Sequence, residues 1–483
     1  MLFTSFQFLL FFPCVFLLHY ALPFRCRKYM LLAASWYFYM CWKPEFIVLL
    51  LFSTVVDYLC GLSIERRRAE GRSAKAFLAV SLAMNLGLLF FFKYFNFFGE
   101  TLTAVCRAVS IPFSAPVLDI ILPVGISFYT FQTLSYTIDV YRGKLAAERD
   151  FVTFALFVSY FPQLVAGPIE KAGNLLPQLK RDIPFSYDNA ACGLKLMAWG
   201  FFKKLVIADR LAALLVDPVY SNPAAYSGGA LVIASAAFAV QIYCDFGGYS
   251  DIARGCAKTM GVELMVNFKA PYLASSLTEF WRRWHISLTG WFREYVYIPL
   301  GGNRKGVPKK LAFVTVTFFL SGLWHGAGWT FITWGLLQAL YLNAETLLAL
   351  RRGKPASPGR LRTALGRLVT FALCTFSWVF FRSASMADAL SILRRSADGL
   401  SRPAAYVRAA LAVMLPRKAL LAPLLLSLAL LLLFDWASER RDAIETVSSW
   451  PVWLRWPVYW GFLLLLLLLI PKQSAAPFLY FQF

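Results

Sequence analysis

The sequence predicts an all-α, polytopic membrane protein with about eleven transmembrane helices, together with re-entrant and interfacial helices. Composition is the first reason: 59% of the 483 residues are hydrophobic and 15% are charged, whereas soluble domains are about 45–50% apolar and about 25% charged. Secondly, basic residues cluster between apolar runs, as at Glu65–Arg72 and Arg351–Arg362, which is the positive-inside pattern of cytoplasmic loops. Thirdly, the 34 residues Leu311–Ala344 contain no Lys, Arg, Asp or Glu.

Charge and cysteine content argue against several other classes. The formal net charge is +22, but the basic clusters flank apolar runs and therefore fit anionic lipid headgroups better than nucleic acid. Nine cysteines are scattered without a C-x-x-C pair, and the three histidines form no H-E-x-x-H motif, so neither a disulfide framework nor a zinc site is predicted. Nucleotide-binding and serine-hydrolase motifs are also missing from the sequence. We therefore expect membrane lipids as partners, and no metal or bound cofactor.

The N-terminal half is a series of apolar segments. Met1–Phe24 has no basic residue before its apolar run and no cleavage site, so it is predicted to be a transmembrane helix and not a signal peptide. The basic residues that start at Arg25 place the N-terminus outside. Ile120–Thr137 contains Pro123 and Gly125, which favours a discontinuous or re-entrant helix buried inside the protein. The other predicted segments are Tyr29–Trp42, Phe46–Ile64, Ala76–Phe98 and Phe151–Gly167.

The C-terminal half continues the pattern. Gly193–Val216 carries Lys203 and Lys204 near its middle, which predicts a segment lying partly at an interface. Leu311–Ala344 is longer than one crossing needs, and because Gly326-Ala327-Gly328 lies at its centre, we expect it to enter the membrane and return. The other predicted segments are Gly228–Cys244, Val369–Phe381, Ala419–Phe434 and Trp456–Ile470, with Ser383–Lys418 as a surface segment. All of these are assigned to a single domain, residues 1–483, with a catalytic core at about residues 120–345.

An amphipathic run extends from Ser275 to Gly306. On a helix, Trp281 and His285 share one aromatic stripe, whereas Arg282 and Arg283 lie off it. Such a helix lies at a membrane interface, where its arginines meet either lipid headgroups or the phosphates of a cofactor or carrier. A buried imidazole at position 285 must be hydrogen-bonded, and taken alone this favours a structural role over a functional one.

The strongest candidate for chemistry is His325. It lies 15 residues after Lys310, which on a helix is about 22 Å into a layer about 30 Å thick. An ionisable side chain at that depth marks a functional site, and Trp324 and Trp329 supply stacking surface beside it. Desolvation keeps the imidazole neutral at pH 7, so it can remove a proton from a hydroxyl that attacks an acyl carbon. A histidine that only packs helices together is the alternative.

Two aspartates lie in the sequence DFGGYSD. Asp245 and Asp251 flank Gly247-Gly248, and the paired glycines predict a turn. Aspartates beside a turn either cap a helix or orient neighbouring groups, and capping is the simpler interpretation.

Several long motifs resemble the membrane-bound O-acyltransferase family, and within it the bacterial alginate O-acetyltransferase branch. The resemblance implies an O-acyltransferase built as a ring of transmembrane helices around a central tunnel, with His325 catalytic and His285 as the second family histidine. The sequence departs from the pattern at Gly247, where a serine is expected. The motifs are Leu122–Gly143, Phe161–Glu170, Tyr243–Gly255, Ser275–Gly306, Ser321–Gly335 and the closing Pro477–Phe483.

The resemblance also implies a reaction and partners. An acyl group, acetyl in the alginate branch, would pass from a cytoplasmic thioester (acetyl-coenzyme A or an acyl carrier protein) across the bacterial inner membrane to an exported polysaccharide or cell-wall polymer. Periplasmic or extracellular acetyltransferase subunits would complete the transfer; D-alanyl transfer to a teichoic-acid-like polymer is the alternative. Lys305 is expected to help bind the phosphates of the donor. The predicted substrate- or donor-binding residues are Trp281, Trp324, Arg282, Arg283, Asp245 and Asp251.

Two other functional classes are compatible with this composition. A transporter also uses broken helices and intramembrane charges, although no internal repeat is visible in the sequence. A scaffold without chemistry would tolerate substitution of both His285 and His325.

Overall fold

The computed structural model describes the chain except for residues 353–358, 415–419, 440, 471–477 and 480–483. Within the described ranges the regular elements are helices and no strand occurs, which confirms the predicted all-α class. By its internal contacts the chain divides into two compact units. The first comprises Met1–Leu194 with Ala253–Met265, and the second comprises Lys195–Ile252 with Val266–Phe483.

Most helices are short compared with a membrane crossing of about 20 residues. Helices of the first half are α1 (Phe6–Ala21), α2 (Phe24–Met40), α3 (Ile47–Ala69), α4 (Lys75–Leu89), α5 (Phe95–Ala108), α6 (Ile126–Tyr141), α7 (Phe151–Ser159), α8 (Phe161–Leu164), α9 (Ala172–Leu179) and α10 (Tyr187–Phe201). The remaining ones are α11 (Asp209–Leu211), α12 (Asp217–Ser221), α13 (Gly229–Thr259), α14 (Leu277–Arg283), α15 (Ile286–Phe292), α16 (Ile298–Leu300), α17 (Val307–His325), α18 (Trp329–Arg352), α19 (Arg360–Arg382), α20 (Met386–Arg395), α21 (Pro403–Met414), α22 (Leu421–Ser438), α23 (Ala443–Ser448) and α24 (Val452–Leu469).

The polytopic membrane class is confirmed by the long apolar helices. Six helices in the described chain are long and apolar enough to cross a membrane. The remaining predicted segments fold as helices that are shorter, more polar or interrupted, and Ser383–Lys418 contains α20 and α21. The six helices are Pro44–Ala69, Lys75–Ala108, Gly229–Thr259, Arg360–Arg382, Leu421–Ser438 and Val452–Leu469.

Two segments of the first unit are interrupted. The chain is irregular from residue 111 to 123, and α6 begins at Ile126, directly after Gly125 with φ +81°. The predicted segment Ile120–Thr137 is therefore irregular up to the left-handed Gly125 and one continuous helix after it. Of the two predicted forms, a helix interrupted in its middle is not what the structure shows. Phe151–Gly167 is not one span: it splits into α7 and α8 at Tyr160.

The two lysines that favoured an interfacial position for Gly193–Val216 are buried inside the protein, and the interfacial position stays a prediction. Lys203 and Lys204 are 3% and 0% exposed and lie on π-helical turns that follow α10. Both ammonium groups are ion-paired with aspartates inside the second unit. Pairing offsets part of the cost of burying these charges, so two lysines within an apolar segment do not by themselves indicate an interface.

The helical hairpin predicted around Gly326-Ala327-Gly328 is confirmed. Helices α17 and α18 are joined by these three residues and pack closely at their glycines. A Cβ built on Gly322 would lie 2.4 Å from the carbonyl oxygen of Phe331, and one on Gly335 would lie 2.3 Å from that of Phe318. Small residues at these positions therefore let the two backbones approach each other.

The glycine pair of DFGGYSD does not form a turn. Helix α13 runs without interruption from Gly229 to Thr259, so Asp245 and Asp251 lie inside it and neither caps a helix. A Cβ on Gly248 would lie 2.7 Å from the carbonyl oxygen of Gly200 in α10. The second glycine of the pair therefore permits close helix packing, a role that the sequence pattern alone does not distinguish from a turn.

Candidate active site

His285 does not lie on a continuous amphipathic helix. The run from Ser275 breaks after α14, and α15 begins at Ile286. At the break, His285 has φ 41° and ψ 55°, a left-handed conformation that costs a non-glycine residue roughly 1–2 kcal/mol. The aromatic stripe predicted for one helix is therefore wrong, and the histidine lies at a corner between two short helices.

His325 ends α17, immediately before the hairpin glycines. Its side chain is buried, with 4% exposure, and aromatic rings surround it. The ring centroids of Trp324, Trp334 and Phe381 lie 5.0, 4.9 and 5.3 Å from its imidazole, all in steep edge-on geometries. Such arrangements fix the orientation of a ring and exclude bulk water.

The two predicted histidines come together. The centroids of the His285 and His325 imidazoles are 6.3 Å apart. Phe246 of α13 lies edge-on to His285 at 4.7 Å, and Trp324 lies 6.0 Å from it. His285 is outside the six spanning helices, and burial lowers the pKa of its imidazole to about 3, so the ring is neutral near pH 7. The site therefore presents two closely spaced imidazoles in an aromatic environment.

Trp281 lies in the same aromatic cluster. Its ring is 5.9 Å from Trp334 and 4.9 Å from Phe318. The indole nitrogen donates a hydrogen bond of 3.2 Å to Gln338, whose amide nitrogen in turn donates to Ser377 at 2.7 Å. Trp324 therefore contacts both histidines directly, and Trp281 lies behind Trp334; their role in substrate or donor binding stays a prediction.

The basic residues named from the sequence have different environments. Arg283 is half-buried and donates to Glu279 at 2.5 Å and to Glu439 at 2.9 Å, so its guanidinium is already bound by two carboxylates. Arg282 and Lys305 are exposed. Of the three, these two are accessible to a phosphate-bearing ligand.

The two aspartates are held by lysines. Asp245 accepts from Lys204 at 2.6 Å and from the backbone nitrogen of Leu479 at 2.9 Å. Asp251 pairs with Lys203 at 2.5 Å. These carboxylates stabilise the packing of the second unit, and their predicted role in donor binding stays a prediction.

Sequence reasoning missed three aromatic side chains of the site: Phe246, Trp334 and Phe381. Trp329, which was expected to supply stacking surface, is 53% exposed, whereas Trp334 is fully buried against His325. The predicted hairpin is the feature of the sequence from which Trp334 can be inferred. Once the return at Gly326-Ala327-Gly328 is predicted, the first turns of the returning helix must lie beside His325.

Comparison with known proteins assigns the chain that forms this site to a family. The model of the membrane-bound O-acyltransferase family matches residues 144–386. A probable alginate O-acetylase of Pseudomonas putida is 36% identical over the full length of both chains, and one of Azotobacter vinelandii is 40% identical over 80% of this chain and 76% of its own. A peptidoglycan O-acetyltransferase of Helicobacter pylori is 34% identical over 76% of this chain and 73% of its own.

Proposed function

Because this chain belongs to the membrane-bound O-acyltransferase family and is an O-acyltransferase, we propose that it moves an acetyl group from a cytoplasmic thioester across the bacterial inner membrane. The group is used to O-acetylate an exported polysaccharide of the alginate type. The observation that carries the proposal is the pair of buried imidazoles, 6.3 Å apart, enclosed by aromatic rings. That spacing brings one reacting carbonyl within reach of both rings.

His325 is the general base of the proposed step. Its neutral imidazole takes the proton of the acceptor hydroxyl while the hydroxyl oxygen attacks the acyl carbon. The carbon–sulfur bond then breaks, and the proton passes from the imidazolium to the departing thiolate. His285, neutral because burial lowers its pKa, offers an N–H to the carbonyl oxygen on which negative charge develops.

The donor is acetyl-coenzyme A or an acyl carrier protein carrying the same thioester. Both carry phosphate, and a guanidinium or ammonium group binds phosphate well. Arg282 and Lys305 are exposed and can provide this contact, whereas Arg283 is committed to Glu279 and Glu439. Trp281 and Trp324 line the acyl path, and periplasmic or extracellular acetyltransferase subunits receive the group on the far side.

The test uses full-length protein in liposomes supplied with radiolabelled acetyl-coenzyme A and its partner subunits. His325→Ala should lower acetyl transfer at least about a hundredfold, since it removes the general base. His19→Ala is the matched control: His19 is the third histidine, it is buried in α1 at 6% exposure, and transfer should stay close to the wild-type rate. Wild-type transfer by His325→Ala would refute the assignment, and solute movement without thioester cleavage would indicate a transporter.

A second acceptor is suggested by the Helicobacter relative named as a peptidoglycan O-acetyltransferase. Supplying polymannuronate and peptidoglycan fragments in parallel separates the two, because the acetyl ester appears on only the polymer that the system recognises. Labelled ester on peptidoglycan alone would replace the alginate-type acceptor and leave the chemistry unchanged.

A further inference from the structure

Asn267 links two parts of the second unit through its buried side chain. The residue is 1% exposed and lies in the extended segment between α13 and α14. Its amide nitrogen donates to the hydroxyl of Ser250 in α13 at 3.1 Å. Its amide oxygen accepts from the hydroxyl of Ser287 in α15 at 2.6 Å and from the Ser287 backbone nitrogen at 3.4 Å. Both ends of the amide are therefore used.

The backbone of the same segment brackets the strained histidine. The carbonyl oxygen of Asn267 accepts from the Ile286 nitrogen at 2.9 Å, and the Lys269 nitrogen donates to the Arg283 oxygen at 3.0 Å. These two bonds lie on either side of His285, whose φ is 41°. A left-handed residue persists only where its surroundings determine it. Here the two bracketing bonds come from the backbone of residues 267 and 269, and the side chain of Asn267 fixes that backbone to α13 and α15.

We propose that Asn267 is a positioning residue for acyl transfer: it holds His285 in the left-handed conformation and thereby aims the His285 imidazole at His325. The inference rests on the proposed role of His285 in transfer. The backbone bond to Ile286 remains with any residue at position 267, but without the side-chain bonds to Ser250 and Ser287 the segment is no longer fixed against α13 and α15. Residue 285 then relaxes towards the right-handed region, and the imidazole rotates away from His325.

The side-chain chemistry explains why an asparagine suits this position. The amide must donate to Ser250 and accept from Ser287 at the same time. An aspartate accepts but does not donate, and an alanine does neither. A neutral amide also adds no charge beside His285, so it leaves the imidazole neutral, as the proposed step requires.

The experiment compares Asn267→Ala, Asn267→Asp and Asn343→Ala in full-length protein reconstituted with partner subunits and acetyl-coenzyme A. Asn343 is the matched control, since its amide donates to Leu311 and Thr315 within the α17–α18 hairpin. Asn267→Ala should lower kcat at least about tenfold, because small misplacements of a catalytic group are costly, while KM for acetyl-coenzyme A stays within about threefold. Asn343→Ala should change kcat less than about twofold.

The pH profile separates positioning from a general loss of structure. Asn267→Asp keeps the acceptor for Ser287 and should recover part of kcat at high pH. A carboxylate beside an imidazole favours the charged ring, so this variant should lose activity on the acid side at a higher pH than the wild type. A loss of folded protein lowers kcat by the same factor at every pH and gives no such displacement.

Three results overturn the inference: a kcat for Asn267→Ala within about twofold of wild type, an equal loss in Asn343→Ala, or a change confined to KM. Failure of the proposed acyl-transfer function can be distinguished from failure of the positioning role. If acyl transfer itself is absent, the wild-type protein shows no thioester cleavage, whereas failure of the positioning role leaves wild-type and Asn267→Ala proteins equally active and His325→Ala inactive.

Discussion

Polar groups are buried in two different ways in this molecule. In the first unit, Asp57 is fully buried between membrane helices, and its carboxylate accepts from Ser81 at 2.6 Å and from Asn85 at 2.8 and 3.0 Å. In the second unit, His285 and His325 are equally buried, but the side chains packed around them are mainly aromatic rings.

The difference indicates what each cluster does. A carboxylate whose oxygens are bound by hydroxyl and amide donors has little capacity left for a ligand, and breaking its bonds leaves buried donors unsatisfied. The aromatic rings around the two imidazoles form a low-dielectric environment, in which proton transfer and charge stabilisation are effective. Substitutions in the first type of cluster should therefore lower stability, and substitutions at the histidines should lower rate.

The largest effect on stability is expected at Lys204, whose buried ammonium group is paired with two aspartates of the second unit. Its ammonium pairs with Asp245 at 2.6 Å and with Asp209 at 2.8 Å. Lys204→Met leaves buried carboxylates without their cation and should lower the free energy of unfolding by about 4 kcal/mol. Thermal unfolding in detergent measures this. Lys269→Met, on an exposed lysine of the same unit, should stay within about 0.5 kcal/mol.

A compensating change sharpens this test. Lys204→Met combined with Asp245→Asn removes one of the unpaired charges while keeping an oxygen that accepts from the Leu479 nitrogen. The double variant should be more stable than Lys204→Met alone, because neutral groups are cheaper to bury than ions. Equal stability of the two variants would show that the pair contributes through packing and not through charge.

Asp57 gives the next effect. Asp57→Ala removes the carboxylate from the Ser81 hydroxyl and the Asn85 amide, which keep only their bonds to the Thr137 hydroxyl at 3.2 Å and the Ser81 carbonyl oxygen at 3.0 Å. The loss of the carboxylate bonds should lower the free energy of unfolding by about 3 kcal/mol. Acyl transfer per folded molecule should stay unchanged, in contrast to His325→Ala. Glu100→Ala, on an exposed carboxylate of α5, is the control. A variant that keeps its stability but loses transfer would place Asp57 in the chemistry and break the comparison.

The sequence predicted the membrane class, the α17–α18 hairpin and both histidines because these depend on local pattern. Apolar run length, charge spacing and a glycine cluster are visible in one stretch of chain. His325 was identified because an ionisable group in a long uncharged run is rare. The resemblance to a family added His285 as the second family histidine, and the 6.3 Å separation of the two rings came from the structure.

The missed features depend on partners distant in sequence. Lys204 lies 41 residues from Asp245, and without that pairing the lysine indicated an interface. The break at His285 is bonded to Asn267, 18 residues earlier in the printed sequence, and amphipathic periodicity continues through the break. Helix α13 likewise continues through Gly247-Gly248, because a glycine pair is compatible with a turn and with close helix packing.

The smallest expected effect on stability is at Glu170, and it appears as a dependence of stability on pH. It tests whether a buried carboxyl with neutral donors differs from one that is paired with a lysine. Glu170 is fully buried, and its carboxyl accepts from the Met265 nitrogen at 2.5 Å and the Asn174 amide at 2.7 Å, both neutral donors. Burial raises its pKa from 4.5 to about 7. The folded protein therefore binds the proton more tightly than the unfolded chain, so stability is greatest below the unfolded pKa and falls as pH rises towards 7.

Between pH 5 and pH 8 the wild-type protein should lose about 2 kcal/mol of unfolding free energy from this group. Glu170→Gln keeps an oxygen for Met265 and cannot ionise, so the loss should disappear, whereas Glu100→Gln should retain it. Thermal unfolding across that range gives the slope. A slope unchanged in Glu170→Gln would mean that this carboxyl is stabilised as an ion, by a charge such as Arg254, and that it behaves like the lysine-paired aspartates of the second unit.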